Sequence, residues 1–369
     1  MIKKITALMG LAIMLQAVCI AGEVDLIKLN EKNWISLETE NFNVITDAKE
    51  EKAFEIVREL ENFKYFLGVV LGYKQLPLSQ KVSVVAAENE STFRLTGIPD
   101  NYSGLFLQDR DYVIFARCDS FIYNSKGKRN PGRSSVFHEL VHLFIHNSAS
   151  ALNFPPWYDE GIAQYLSTYT ERNGKVIYGD TGELKIQFKS IIKSVWKHKK
   201  IDTEFLFKIT RSDLDIFNTT KKHKKFLEKF YAHSFLVVHY MFKDADRRKR
   251  LPQFLSSLSE GVSIDESFTN AFDMTFSDLD RVLKNYLKSK YSNTSAFFPE
   301  QIEISFPEVK FEKHDITKRE AMEFLYLKIY MLPEKLLGKG SLKRLNYDME
   351  NLYPGLVNSL KEQRSGITQ

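Results

Sequence analysis

Cysteine is almost absent from this chain. Only Cys19 and Cys118 occur in 369 residues. Cys19 lies in an N-terminal stretch that reads as removed on export, so no intramolecular disulfide remains and a large apolar core must hold the fold unaided. Glycine and proline are also sparse, at 17 and 10, which excludes collagen-like and Pro/Gly-rich disordered classes. No long low-complexity tract and no convincing repeat is present. Charge of one sign is scarce too: the formal net charge is only +5. The basic clusters Lys221-Lys222-His223-Lys224-Lys225 and Arg247-Arg248-Lys249-Arg250 come with no nucleic-acid-binding motif and read as solvated surface. No nucleic-acid partner is expected.

Long apolar runs are missing except at the start. Lys3 and Lys4 precede an apolar run from Ile5 to Ile20, followed by Ala21 and Gly22. That is the layout of a secretory signal peptide, with cleavage expected after Ala21 or Gly22. The run is short for a membrane span, and Gln16-Ala17-Val18-Cys19 is a poor lipobox. The expectation is a secreted or periplasmic protein, with an N-terminal membrane or lipid anchor as the alternative. No stable membrane insertion is expected beyond the signal peptide. Removing Lys3 and Lys4 leaves 50 basic and 47 acidic residues, a net charge of +3. Cys118, in VIFARC, reads as a small buried hydrophobe.

What the chain does have is pattern. Trp34 to Glu38 and Phe42 to Thr46 read as strands, and Asp47 as the cap of a helix over 48–71. Lys81 to Ala87 reads as a strand. GLFLQDRDYVIFA reads as a hairpin of Gly104–Leu107 and Tyr112–Ala116. Beyond residue 134 the pattern is mostly helical, with segments at 156–168, 183–198, 226–243, 250–258, 264–272 and 276–290. Residues 297–313 look extended and linker-like. Thr317 and Glu320 form a capping box that opens a further helix. The expected division is a signal peptide over 1–21, an α/β part over 22–130, a helical part over 131–293, and a linker with helical extension over 294–369.

One helix carries the chemistry. SSVFHELVHLFIH, residues 134–146, is apolar nearly all round, as a buried helix is. Yet it holds His138, Glu139 and His142, and burying unpaired charge is costly. HELVH is the HExxH pattern. Four residues advance a helix by about 400° and 6 Å, so both imidazoles point from one face and can share a zinc ion. Glu139 flanks that face as a general base. A catalytic zinc needs a third protein ligand and an open position. FPPWYDEGIAQYL supplies one: Pro155-Pro156 starts a second helix, and Glu160 lies in its first turn, with 17 residues between it and His142. That is enough chain for a loop and an antiparallel return. His146 is two turns from His138 and reads as a capped or core histidine.

HELVH followed by PPWYDEGIAQYL resembles the gluzincin zinc peptidases. More narrowly it resembles the peptidase MA-like group of bacterial secreted proteins, a domain of unknown function with HEL.H and then P.W..EG.A.Y. Pro155, Trp157, Glu160, Gly161, Ala163 and Tyr165 fit that pattern. The resemblance runs from about Trp34 to Leu287. It implies an α+β, thermolysin-like zincin fold, one zinc ion, and a peptide or protein substrate. It also implies that the strand Gly104, Leu105, Phe106 and Leu107 takes up an extended substrate along its edge. Tyr231 matches the family's oxyanion-stabilising tyrosine, with His233 as the alternative. Gln164 stands where a carboxylate usually supports a zinc histidine. Asp273 replaces a usual glycine at a helix end. His239 reads as core.

The sequence therefore predicts a zinc-dependent peptidase. The alternative from another class is an envelope binding or scaffold protein that keeps the fold without proteolysis.

Overall fold

A six-residue strand with every side chain buried lies at the middle of the largest sheet, as happens when both sheet faces are covered. The computed structural model describes residues 23–73, 78–99, 102, 104–108, 111–121, 131–148, 154–172, 174–180, 201–215, 218, 220–291, 300–333 and 336–366. The elements run α1 (Leu26–Asn30), β1 (Ile35–Glu38), β2 (Phe42–Thr46), α2 (Glu50–Leu71), β3 (Val82–Ala87), α3 (Glu90–Arg94), β4 (Gly104–Gln108), β5 (Tyr112–Arg117), α4 (Cys118–Phe121), α5 (Pro131–Ser148) and α6 (Pro156–Leu166). There follow β6 (Thr170–Arg172), β7 (Lys175–Tyr178), α7 (Thr203–Lys208), α8 (Lys221–Phe242), α9 (Ala245–Ser259), α10 (Ile264–Phe272), α11 (Phe276–Tyr291), β8 (Glu300–Ile302), β9 (Glu312–Asp315), α12 (Lys318–Tyr330), α13 (Ser341–Leu352) and α14 (Leu356–Gly366). The chain is of mixed α+β type.

It folds as two compact units, one of residues 1–65, 78–136 and 306–369, the other of 66–77 and 137–305. The first holds a six-stranded sheet in the order β4-β5-β3-β2-β1-β9. The β2–β3 and β3–β5 pairs are parallel and the others antiparallel. Parallel neighbours need a crossover, and α2 supplies it between β2 and β3. Its apolar stripe explains why it forms: Ala53, Ile56, Val57, Leu60 and Phe63 are fully buried. Asp47 does not cap it. Its carboxylate accepts instead from the Glu88 amide at 2.6 Å and the Thr92 hydroxyl at 2.8 Å. Cys118 is buried, as expected, and burial pushes its thiol up to about 12.

The C-terminal helices complete this unit. Leu325, Ile329, Leu345, Met349 and Leu360 share one core cluster with Val85, Leu105, Leu107, Val113 and Phe115 of the sheet. The Thr317 capping box forms as expected. Strand β9 pairs with β1. So residues 306–369 of the segment expected as linker and extension belong to the first unit, while β8 before them belongs to the second. Glu312-Lys313-His314-Asp315 has no apolar alternation, and all four residues are exposed, so nothing in its composition marked it as a strand. The expected boundary at 130–131 also moves. It falls between Val136 and Phe137, inside α5, where no linker composition could reveal it.

The second unit is mainly helical, with a three-stranded sheet ordered β6-β7-β8. The β6–β7 hairpin was not expected from the helical pattern. It turns at Gly174, whose φ of +73° suits glycine. The helix expected at 183–198 lies outside the described residues, as does the N-terminal segment read as a signal peptide. Among the described residues no helix is long and apolar enough to cross a membrane. Asp273 is the left-handed C-cap of α10, at φ 54°.

Helices α6 and α8 pack closely. A Cβ on Gly161 would stand 2.6 Å from the Ser234 carbonyl oxygen and 2.7 Å from a Val238 methyl. Only glycine allows this approach, and it sets the second unit's site.

Candidate metal centre

Helix α5 is buried on nearly every side. Phe137, Leu140, Val141, Leu143 and Phe144 are wholly inaccessible. That fixes the helix in rotation and translation, and with it the face bearing His138 and His142. Helix α6 starts at Pro155-Pro156, with Pro156 in the first turn. Trp157 anchors it by stacking on Phe207 at 4.0 Å between ring centroids, and Tyr165 packs against Tyr178, Phe235 and Phe242. Two of the motif's aromatic residues are thus core anchors, and Gly161 is the point of helix contact.

The anchoring brings three ligand atoms together. His138 Nε2 lies 3.1 Å from Glu160 Oε2, His142 Nε2 lies 3.2 Å from His138 Nε2, and His142 Nε2 lies 3.6 Å from Glu160 Oε2. A tetrahedral ion with bonds of 2.0–2.1 Å separates its ligands by about 3.3 Å, so this triangle has the size such an ion requires. His138, His142 and Glu160 form a group able to hold a metal ion. Burial would raise the Glu160 carboxyl, but His142 and His138 outweigh it and hold it down at about 2. Burial pushes the His138 imidazole down. His142 runs the other way: burial alone would lower it, and Asp159 and Glu160 together raise it well above the usual imidazole value.

Glu139 is only 4% exposed, and its Oε1 has no hydrogen-bond partner among the described residues. Burial, opposed by His142 and reinforced by Glu160 and Asp159, pushes this carboxyl up to about 8. A buried carboxylate oxygen facing no protein donor is an expensive arrangement. It fits a site whose remaining partner is not protein.

Tyr231 lies on α8 and feels the charges of the same group. Burial and the charges of Glu160, Glu139 and Asp159 hold its hydroxyl well above the ordinary tyrosine value, so it stays a donor. His233 is influenced by other charges. Its electrostatic neighbours are Lys229 and Asp202, and burial takes it down to about 4. His239 is buried, as expected, with Nδ1 at 2.7 Å from the Tyr286 hydroxyl.

The carboxylate that supports a histidine is Asp159, which the sequence reading passed over. Its Oδ1 accepts from His142 Nδ1 at 2.8 Å and from His146 Nε2 at 3.0 Å. Its Oδ2 accepts from Arg211 at 2.5 Å. Among the described residues, the Gln164 side chain makes no hydrogen bond to His138 or His142; it is half-buried one turn further along α6. The support expected at Gln164 thus comes from the residue just before Glu160. Adjacent helical residues point about 100° apart, so spacing alone could not select Asp159. His146 is tied to Asp159 and is not part of the first ligand triangle, as expected. His142, His146 and Asp159 form a second group of metal-capable atoms. Arg211 already neutralises that carboxylate and opposes a second cation there.

Gly104, Leu105, Phe106 and Leu107 lie in the first unit, on the edge strand β4, apart in chain and unit from the metal-capable residues. Gly104 has no side chain and those of Leu105, Phe106 and Leu107 are buried, so what β4 offers at its edge is main chain.

No protein-family model matches the chain, and a search of curated proteins finds no match.

Proposed function

We propose that this protein is a zinc-dependent peptidase of gluzincin type, akin to the peptidase MA-like group, with a zincin fold, and that it acts in a secreted or periplasmic setting. The observation that carries the reading is the His138–His142–Glu160 triangle with the buried Glu139 next in sequence, whose Oε1 has no hydrogen-bond partner among the described residues. His138 and His142 through Nε2, and Glu160 through Oε2, would hold the ion, leaving a net charge near +1. A zinc ion there supplies Lewis acidity toward a peptide carbonyl and lowers the pKa of water.

The chain's own residues do the rest. Glu139 accepts a proton from the attacking water and passes it to the leaving amide nitrogen. Tyr231 donates its hydroxyl hydrogen to the oxyanion that develops on the carbonyl oxygen. Asp159 keeps the His142 Nδ1 proton in place, which fixes the tautomer and leaves Nε2 free to bind. Among the described residues no strand pairs with the outer edge of β4, and a main-chain ladder there suits an extended peptide. The opposite edge, β9, is guarded by exposed charges as edges usually are. A scaffold protein that only retained the ion would gain nothing from a buried Glu139.

The test is Glu139→Gln. It should keep one zinc per chain while peptide turnover falls by roughly 10²–10⁴-fold, the usual worth of a general base. Measurable turnover that survives the substitution unchanged refutes this mechanism.

A further inference from the structure

We propose that Arg211 is a positioning residue for the metal centre, acting through Asp159 on the His142 imidazole; this rests on the reading that the centre holds a divalent ion. Asp159 is fully buried, and its two oxygens are divided. Oδ1 serves His142 and His146, while Oδ2 serves Arg211. A carboxylate is a two-ended plate. Fixing one oxygen fixes the direction of the other, so the guanidinium sets where Oδ1 points and therefore how the His142 ring is turned.

The arginine is itself held. It opens a short 3₁₀ turn, Arg211–Asp213, closed by a capping box in which Asp213 accepts from the Thr210 amide at 2.9 Å and the Thr210 hydroxyl at 2.6 Å. Its backbone carbonyl accepts from the Leu214 amide. The result is a relay from a partly exposed turn, through a buried carboxylate, to a metal-binding imidazole. Without the guanidinium, Asp159 keeps a buried, unpaired Oδ2 and loses the group that stops it rotating. Partners behind a ligating histidine matter typically 10–100-fold in metal affinity.

The experiment measures the zinc dissociation constant by chelator competition, with denaturant unfolding of the metal-free protein alongside. Arg211→Ala should bind zinc about 10–100-fold more weakly, and Arg211→Lys should recover part of the loss by restoring charge without the planar fork. In an Asp159→Asn background, Arg211→Ala should cost no further affinity, because the arginine acts through that carboxylate. A merely structural role would lower the unfolding midpoint and leave the dissociation constant alone. Wild type that binds zinc, with Arg211→Ala binding it equally well, overturns this inference only. So does an equal further loss in the Asp159→Asn background. Wild type that takes up no zinc overturns the metal-centre reading and this inference with it.

Discussion

Glu139→Gln should make the metal-free protein more stable than wild type as pH rises, while lowering peptide turnover by roughly 10²–10⁴-fold on the proposed mechanism. The carboxyl sits near 4.5 when unfolded and is pushed up to about 8 when folded, chiefly by burial. The native state therefore holds a proton that the unfolded state releases. Stability from this group is intact below about pH 4.5 and is lost as pH rises toward 8. At roughly 1.4 kcal/mol per unit, the loss reaches about 3 kcal/mol by pH 7. Glutamine has nearly the same shape and no charge to neutralise, so it escapes this term. The stability gap between variant and wild type should widen from pH 5 to 8 and then level off. Denaturant unfolding of both proteins, stripped of metal by chelation, would measure it. A gap that stays flat across that range, or that favours wild type increasingly with pH, refutes the reasoning about Glu139.

Gly161→Ala should cost about 1–3 kcal/mol by overpacking, because the added methyl meets the Ser234 backbone. It should also lower turnover, since Tyr231 lies one turn before Ser234 on the displaced helix; unfolding and peptide assays check both. Tyr231→Phe should keep zinc and lose mainly kcat, as an oxyanion donor acts in the transition state, and steady-state kinetics decide it. Leu325→Ala, in the core shared by β4, β5 and the C-terminal helices, should cost about 2–5 kcal/mol in the same unfolding assay. Asp273→Gly should be neutral or stabilising, because an L side chain at φ 54° is strained relative to glycine.

The parts that were legible in the sequence rest on short-range geometry. Four residues of helix place His138 and His142 on one face, and a proline-started helix returns Glu160 to them. Those inferences needed only helical periodicity and loop length. Asp159 and Arg211 escaped because their roles depend on tertiary direction. One is the helical neighbour of a ligand, and the other lies 52 positions further on in a turn with no motif of its own. The β6–β7 hairpin is too short to show a period against helical surroundings. The Thr317 capping box announced a C-terminal helix, but a helix start does not say which surface the helix covers. That is why residues 306–369 read as an extension when they close the first unit's core.

The central claim is metal-dependent peptide hydrolysis at the His138–His142–Glu160 centre. Digestion of a peptide library by the purified protein, with and without chelator, tests it most directly. The account predicts cleavage that stops on chelation, returns with one equivalent of zinc, and is absent from Glu139→Gln loaded with the same zinc. Cleavage that persists unchanged in the metal-stripped protein, or a zinc-loaded wild type that cleaves no peptide, would contradict it.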